Sequence, residues 1–157
     1  MGDGLGGRMI RLDLSITDTA PPDAFEALWQ PMVRFSESTV GPADARTLAV
    51  LLSDPATNEV VGGLWGRTFW GVCHVDVMFV PESARGAGLG ARVMQAAEAE
   101  AIRRGCRLIH LDTYAFQARP FYEKLGYTVF GQLDGPPPIY PRYYMHKRLG
   151  SGPTPTP

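Results

Sequence analysis

The sequence predicts an α/β chain of the α+β type, with a single mixed sheet of about seven strands flanked by helices. Three observations carry that expectation. Segments of period two and of period 3.6 follow one another in the order β-α-β-β-β-α-β-α-β-β, with no internal repeat. Three apolar segments in the middle, 46–54, 59–69 and 72–80, are separated only by short turns and therefore form an antiparallel meander. The 157 residues are 45% hydrophobic and 20% charged, which suits one ordinary core. The expected domain spans 9–149, with flexible termini at 1–8 and 150–157, both rich in glycine or proline and poor in apolar groups.

Each element has its own justification. "MIRLDLSI" (9–16) alternates apolar and polar residues as a half-buried strand does. Asp23 is an N-cap for a helix over 22–37, where Phe25, Leu28, Trp29 and Met32 recur at helical spacing; Pro31 is expected to kink or end it. "DPATN" turns strand 46–54 into strand 59–69, in which Gly62 and Gly63 signal a bulge or a close backbone approach. "FWG" leads into strand 72–80, which Pro81 ends.

A helix over 88–104 follows, with Leu89, Val93, Ala97 and Ala101 as its apolar stripe and Arg92, Gln95, Glu98 and Arg103 turned outward. Gly105 stops it. "RLIHLDTY" (107–114) is a strand and "ARPFYEKLG" (118–126) a short helix closed by Gly126. "YTVFGQL" (127–133) and "RYYMHKRL" (142–149) are strands on either side of the stiff loop "DGPPPIYP".

Composition excludes several functions. Lys and Arg total 15 against 16 Asp and Glu, a net charge of -1, so there is no electrostatic footprint for nucleic acid or an anionic membrane. No window approaches the ~18 consecutive apolar residues of a membrane-spanning helix. "MGDGLGGRMI" has no apolar core of a secretory signal. Cys73 and Cys106 lack metal-ligand or CxxC spacing and read as buried, reduced thiols, which implies a cytoplasmic protein.

The informative stretch is "HVDVMFVPESARGAGLGA". A strand ending in a glycine turn that opens a helix presents free backbone N–H groups at a positive dipole end, an anion site suited to phosphate. Gly86, Gly88 and Gly90 leave the backbone open to approach, and Arg85 adds a cation. The dinucleotide fingerprint fails, because "GAGLGA" places its third glycine one position early and the acidic residue due about 20 positions on would fall in "GCRLIH", which has none. Walker A fails because no Lys-Ser or Lys-Thr follows the glycines.

"RGAGLGA" resembles the R/Q-x-x-G-x-G/A motif of the GNAT N-acetyltransferase superfamily, with Arg85, Gly88 and Gly90 at the defined positions. "ARPFYEKLGY" is similar to the second signature of that superfamily, a tyrosine-bearing helix closed by G-Y. The resemblance covers roughly 10–149. It implies a GNAT-like, mostly antiparallel sheet splayed at the fourth and fifth strands, and acetyl-CoA as donor with a primary amine, free or on a peptide or protein, as acceptor. It further implies that the backbone of Arg85, Gly86, Ala87, Gly88, Leu89, Gly90 and Ala91 holds the pyrophosphate. Met78, Phe79 and Val80 would pair with the pantetheine arm, and Tyr122 would lie near the coenzyme sulfur. Gln117 stands near where the family often has an asparagine that contacts the coenzyme.

A thiol of pKa ~8.5 leaves more readily if its sulfur receives a proton, so Tyr122 is the general-acid candidate. The incoming ammonium, with a pKa near ~10, must lose a proton. Many family members place a glutamate for this near the position of His74, and this chain departs from that pattern. Strand alternation puts His74, Asp76, Met78 and Val80 on one face, toward the cleft, and Val75, Val77 and Phe79 on the other, toward the helices. His74 suits a base at neutral pH; Asp76 orients it, acts as base itself, or binds the substrate's cation. His110 and Asp112 share a face in the same way, yet nothing has metal-site spacing and no metal is expected.

Trp65, Phe69, Trp70, Tyr140, Tyr143 and Tyr144 supply core packing or an acceptor wall. Neither cysteine is placed as a nucleophile, so direct attack in a ternary complex is expected. The alternative is a non-catalytic acyl-CoA-binding or sensing domain on the same fold. A homodimer paired through strand 142–149 is a further possibility.

Overall fold

Six strands form one sheet in the order β1-β2-β3-β4-β6-β5 in a computed structural model that describes residues 12–150. The strands are β1 (Arg46–Ser53), β2 (Val60–Phe69), β3 (Val72–Phe79), β4 (Leu108–Tyr114), β5 (Thr128–Leu133) and β6 (Arg142–Arg148). The helices are α1 (Ala24–Val40), α2 (Leu89–Arg103) and α3 (Arg119–Lys124). The chain divides into two compact units, one ending at Gly41 and holding α1, the other starting at Pro42 and holding the sheet, α2 and α3.

In the first unit, α1 runs on past Pro31, which neither ends the helix nor stops it at residue 37. Proline removes one amide donor and crowds one preceding carbonyl, a local cost that leaves the flanking turns bonded. Asp23 is the N-cap residue, but through its carbonyl, which accepts the Ala27 amide at 3.0 Å; its carboxylate caps nothing. The strand expected at 9–16 is absent over 12–16, and its beginning lies outside the described residues. Alternation supplies a face to bury, yet a strand exists only where a neighbour takes its backbone bonds. Six described strands replace the expected seven for that reason.

In the second unit, β1, β2 and β3 make the expected antiparallel meander. A connection through α2 then lets β4 lie parallel to β3, as a parallel pair requires. β6 is inserted between β4 and β5 and is antiparallel to both. Strand 142–149 is therefore interior, with both sides already bonded, and cannot be the edge through which two copies pair.

One face of the sheet carries the core. Leu48, Leu64, Cys73, Val75, Ile109, Leu111 and Met145 pack there with Val93, Met94, Ala97 and Ala101 of α2 and with Tyr122 and Tyr127. The stripe of α2 is wider than expected, because Met94 is fully buried beside Val93. Glu98 does not turn outward: its carboxylate takes the Tyr127 hydroxyl at 2.9 Å and the Lys147 ammonium at 2.7 Å. A half-buried carboxylate is tolerated because both of its oxygens are bonded.

The feature that shapes the site is a bulge in β3. Trp65 pairs with Val77 and Gly66 with Val75, so Asp76 is an extra residue with no partner on β2. A Cβ on Gly66 would lie 2.3 Å from the His74 carbonyl oxygen, so only glycine lets the two backbones meet there. The bulge resets the alternation. Val75 is buried, but Val77 and Phe79 are 60% and 53% exposed, while Met78 packs against the core. The expectation that Val75, Val77 and Phe79 share the helix-facing side, and that Met78 shares a face with His74, fails because one inserted residue inverts every later side chain.

Gly66→Ala should destabilise the protein by about 1–3 kcal/mol through overpacking against the β3 backbone. Urea unfolding followed by circular dichroism measures it; an unchanged midpoint would show that the bulge accommodates a methyl group.

Candidate active site

β3 and β4 stay paired for only three residues, Val72 with Leu108, Cys73 with Ile109 and His74 with His110. Beyond that rung they part, and a cleft of about 1090 Å³ fills the opening. From Val75 onward β3 bonds β2 alone, so the groups on its other edge face the cleft without a strand partner. Met78, Phe79 and Val80 lie along that edge and all line the cleft.

The glycine turn closes one end. Gly86 and Gly88 have φ of 83° and 72°, and no heavy atom lies within 4 Å of a Cβ built on either. Backbone conformation, not space, calls for glycine at both. Gly88 is the N-cap of α2, and the Arg92 amide bonds to its carbonyl at 3.1 Å. The amides of Leu89, Gly90 and Ala91 thus occupy a first turn that has no preceding carbonyl to accept them. Arg85, Gly86, Gly88, Leu89, Gly90 and Ala91 line the cleft, whereas Ala87 is exposed and outside the lining. Arg85 is tethered through Nε to the Val80 carbonyl at 3.1 Å, which holds its charge beside the turn.

Gly90 matters for packing. A Cβ there would sit 3.2 Å from the ring of Phe121, so α2 and α3 meet closely behind the turn. That contact sets Tyr122, which is 8% exposed, at the cleft wall. Its hydroxyl donates to Met78 Sδ at 3.7 Å. Burial, and after it the Asp112 carboxylate, raises its pKa, so it keeps its proton at neutral pH. Gln117 lines the cleft, but its Oε1 accepts the Tyr114 amide at 2.9 Å and so caps the end of β4.

The predicted polar pair stays in contact, but only one of its members reaches the cleft. Asp76 lines the cleft and His74 does not. His74 stands behind it, with Nδ1 at 3.1 Å from Asp76 Oδ1. Arg67 of β2 reaches both, with Nη2 at 3.3 Å from that oxygen and 3.3 Å from His74 Nδ1. The His74 ring stacks on His110, centroids 4.4 Å apart at 12°. Burial chiefly, then the neighbouring His74 and Arg67, lowers the pKa of His110.

Three further groups were not singled out from the sequence as site residues. Arg67 orients Asp76, and Asp112 and Arg142 form an ion pair at 2.6 Å on the opposite arm of the cleft. Alternation in "RLIHLDTY" and "RYYMHKRL" shows which residues share a face, but the β4–β6 register that joins Asp112 to Arg142 is long-range. Trp65 and Trp70 are 52% and 42% exposed and neither lines the cleft; Tyr114 and Phe116 supply its aromatic wall.

The sequence pattern of the Acetyltransferase (GNAT) family matches residues 14–127, and the chain belongs to that family. It is 35% identical over 122 residues to an acetyltransferase of Agrobacterium fabrum, covering 78% of this chain and 88% of that one. To the blasticidin-S acetyltransferase of Streptomyces morookaense it is 39% identical over 92 residues, covering 58% and 68%. A solved acetyltransferase from Agrobacterium tumefaciens superposes with a TM-score of 0.82 at 32% identity, over 88% of this chain and 100% of that one. An aminoglycoside 6'-N-acetyltransferase solved with coenzyme A shares the fold at TM-score 0.59 and 22% identity, over 84% and 90%.

The protein is therefore an N-acetyltransferase, and acetyl-CoA is its acyl donor. The cleft's chemistry suits such a donor, with first-turn amides and three glycines at one end and an unpaired strand edge along its length. Among the described residues no group of three His, Cys, Asp or Glu side chains is placed to hold a metal ion, and no helix is long and apolar enough to cross a membrane.

A lowered His110 pKa gives a pH dependence of stability. Below about pH 6.5 the unfolded chain takes up a proton that the folded chain refuses, so stability is lost as pH falls. Melting curves between pH 7.5 and 5.5 should show a steeper fall in Tm for the wild type than for His110→Gln; parallel curves would count against it.

Proposed function

We propose that the protein acetylates a primary amine on a small molecule by direct attack within a ternary complex. One observation carries the reading: the opening between β3 and β4 has Tyr122 on its wall and Asp76 at the bulge, facing the same cleft. A proton donor for the departing sulfur and a carboxylate for the arriving ammonium thus flank one passage. The name of the Streptomyces relative, an acetyltransferase acting on blasticidin S, supports a small acceptor.

The chain's groups have separable tasks. The first-turn amides of α2 and the Arg85 guanidinium hold phosphate, and the free edge at Met78, Phe79 and Val80 aligns the arm that carries the thioester. Asp76 receives the ammonium. The proton the amine must lose passes through the Asp76 carboxylate to His74, whose Nδ1 lies against it, and Arg67 keeps the pair in register. The amine nitrogen then bonds to the acyl carbon as the carbon–sulfur bond breaks, the sulfur takes the Tyr122 proton, and the Tyr122 oxygen recovers the second proton that the nitrogen sheds on becoming an amide. Tyr122 is suited to this because burial favours its neutral form.

Acetyl-CoA should raise the melting temperature, and free thiol should be released with at least one amine of a panel. Stabilisation with no turnover on any amine would favour a binding or sensing domain instead. Tyr122→Phe, which preserves the ring packing, should lower kcat by about 10²-fold or more with the donor KM little changed. An unaltered kcat removes Tyr122 from the chemistry.

The acidic limb of kcat/KM against pH reports the group that receives the amine's proton. His74→Ala should displace that limb, and Asp76→Asn should lower kcat/KM at every pH. A limb identical in His74→Ala and wild type would leave Asp76 as the only acceptor-side base.

A further inference from the structure

We infer that the acceptor carries a carboxylate as well as its amine, and that Arg142 is the residue that recognises it. This rests on the reading of the cleft as the place of amine acetylation, and it names the substrate class for that site.

The geometry of Arg142 points to an anion. It belongs to the first position of β6, on the face shared with Tyr144 and His146 and opposite to buried Met145. Its Nε donates to Asp112 Oδ2 at 2.6 Å, which uses one of five donors. Both Nη groups have no hydrogen-bond partner among the described residues. The guanidinium also lies over the ring of Tyr114 at 5.2 Å and that of Tyr144 at 5.7 Å. One carboxylate and two rings therefore fix its plane and leave the Nη donors unused, in an arginine that lines the cleft. A fixed planar fork matches the two oxygens of a carboxylate, and an arginine held in advance loses little freedom on binding it.

The charges around the cleft point the same way. Asp76 faces Arg67 on the β3 arm, and Asp112 faces Arg142 on the β4 arm. Two carboxylates against two guanidiniums leave no net attraction for a polyamine. A molecule with one ammonium and one carboxylate satisfies both arms, its amine on Asp76 and its acid on Arg142. The donor's phosphates have their own partners in the turn from Gly86 to Ala91, on the other arm. The acceptor chemistry is that of an amino acid or an amino-acid-like amine.

Matched pairs of acceptors test this, lysine against cadaverine and phenylalanine against phenethylamine. Binding to the protein loaded with coenzyme A is read by calorimetry, and turnover with acetyl-CoA by thiol release. The carboxylate-bearing member of a pair should bind and react better by about 10-fold or more, the range of hydrogen bonds to a charged group. Arg142→Gln should bring the ratio within each pair toward one, and Arg142→Lys should restore only part of it, with the KM for acetyl-CoA held within about twofold in both, since the phosphates bind elsewhere.

A wild-type preference for the decarboxylated amines overturns the inference. So does a raised KM for acetyl-CoA in Arg142→Gln, which would assign the fork to a donor phosphate, and so does the absence of binding throughout the panel. Tight binding of the acids without thiol release would uphold Arg142 as a carboxylate site and sink amine acetylation. Turnover without any carboxylate preference would do the reverse.

Discussion

The loss of pairing between β3 and β4 beyond the His74–His110 rung is the constraint from which the site follows. Two parallel strands that remained bonded would present no edge, no cleft and no passage for an extended ligand. The parting coincides with the bulge at Asp76, where one inserted residue bends β3 and increases its twist. Gly66 permits that bulge by letting β2 lie against the His74 carbonyl. The stacked imidazoles of His74 and His110 close the vertex of the opening. Everything on the cleft wall is positioned relative to that vertex.

Around the opening, buried contacts hold the exposed chemistry in place. The Gly90–Phe121 contact brings α3 against α2, so the glycine turn and Tyr122 belong to one packed block. Behind them Glu98 receives both the Tyr127 hydroxyl and the Lys147 ammonium, which ties α2 to the strand that carries Arg142. The carboxylate beside Tyr127, added to its burial, keeps that phenol neutral, and its ring packs 5.9 Å from the ring of Tyr122. Cys73 lies in the same core, its thiol pushed up to about 12 chiefly by burial, which keeps it protonated.

Much of this was legible in the residues. "RGAGLGA" and "ARPFYEKLGY" act through local geometry: positive φ at a helix start, and a short helix closed by glycine. Short-range features of that kind need no knowledge of the rest of the chain, so the glycine turn at the start of α2 and the short helix carrying Tyr122 could be read directly. The meander was legible too, because its turns are local. Over 12–16 the expected strand does not form, because period-two alternation states which face would be buried, not whether a partner exists.

The sequence by itself determined the turn chemistry, the helix starts, the donor class and the identity of the titratable groups on the strands beside the cleft. Tertiary structure alone decided that Asp76 reaches the cleft while His74 stands behind it, that β6 is interior, and that Arg142 meets Asp112. The physical reason is range. Glycine torsions and helix capping are settled within a few residues, whereas a bulge and a strand register exist only between segments far apart in the chain, and one residue of offset turns a side chain to the other face of the sheet.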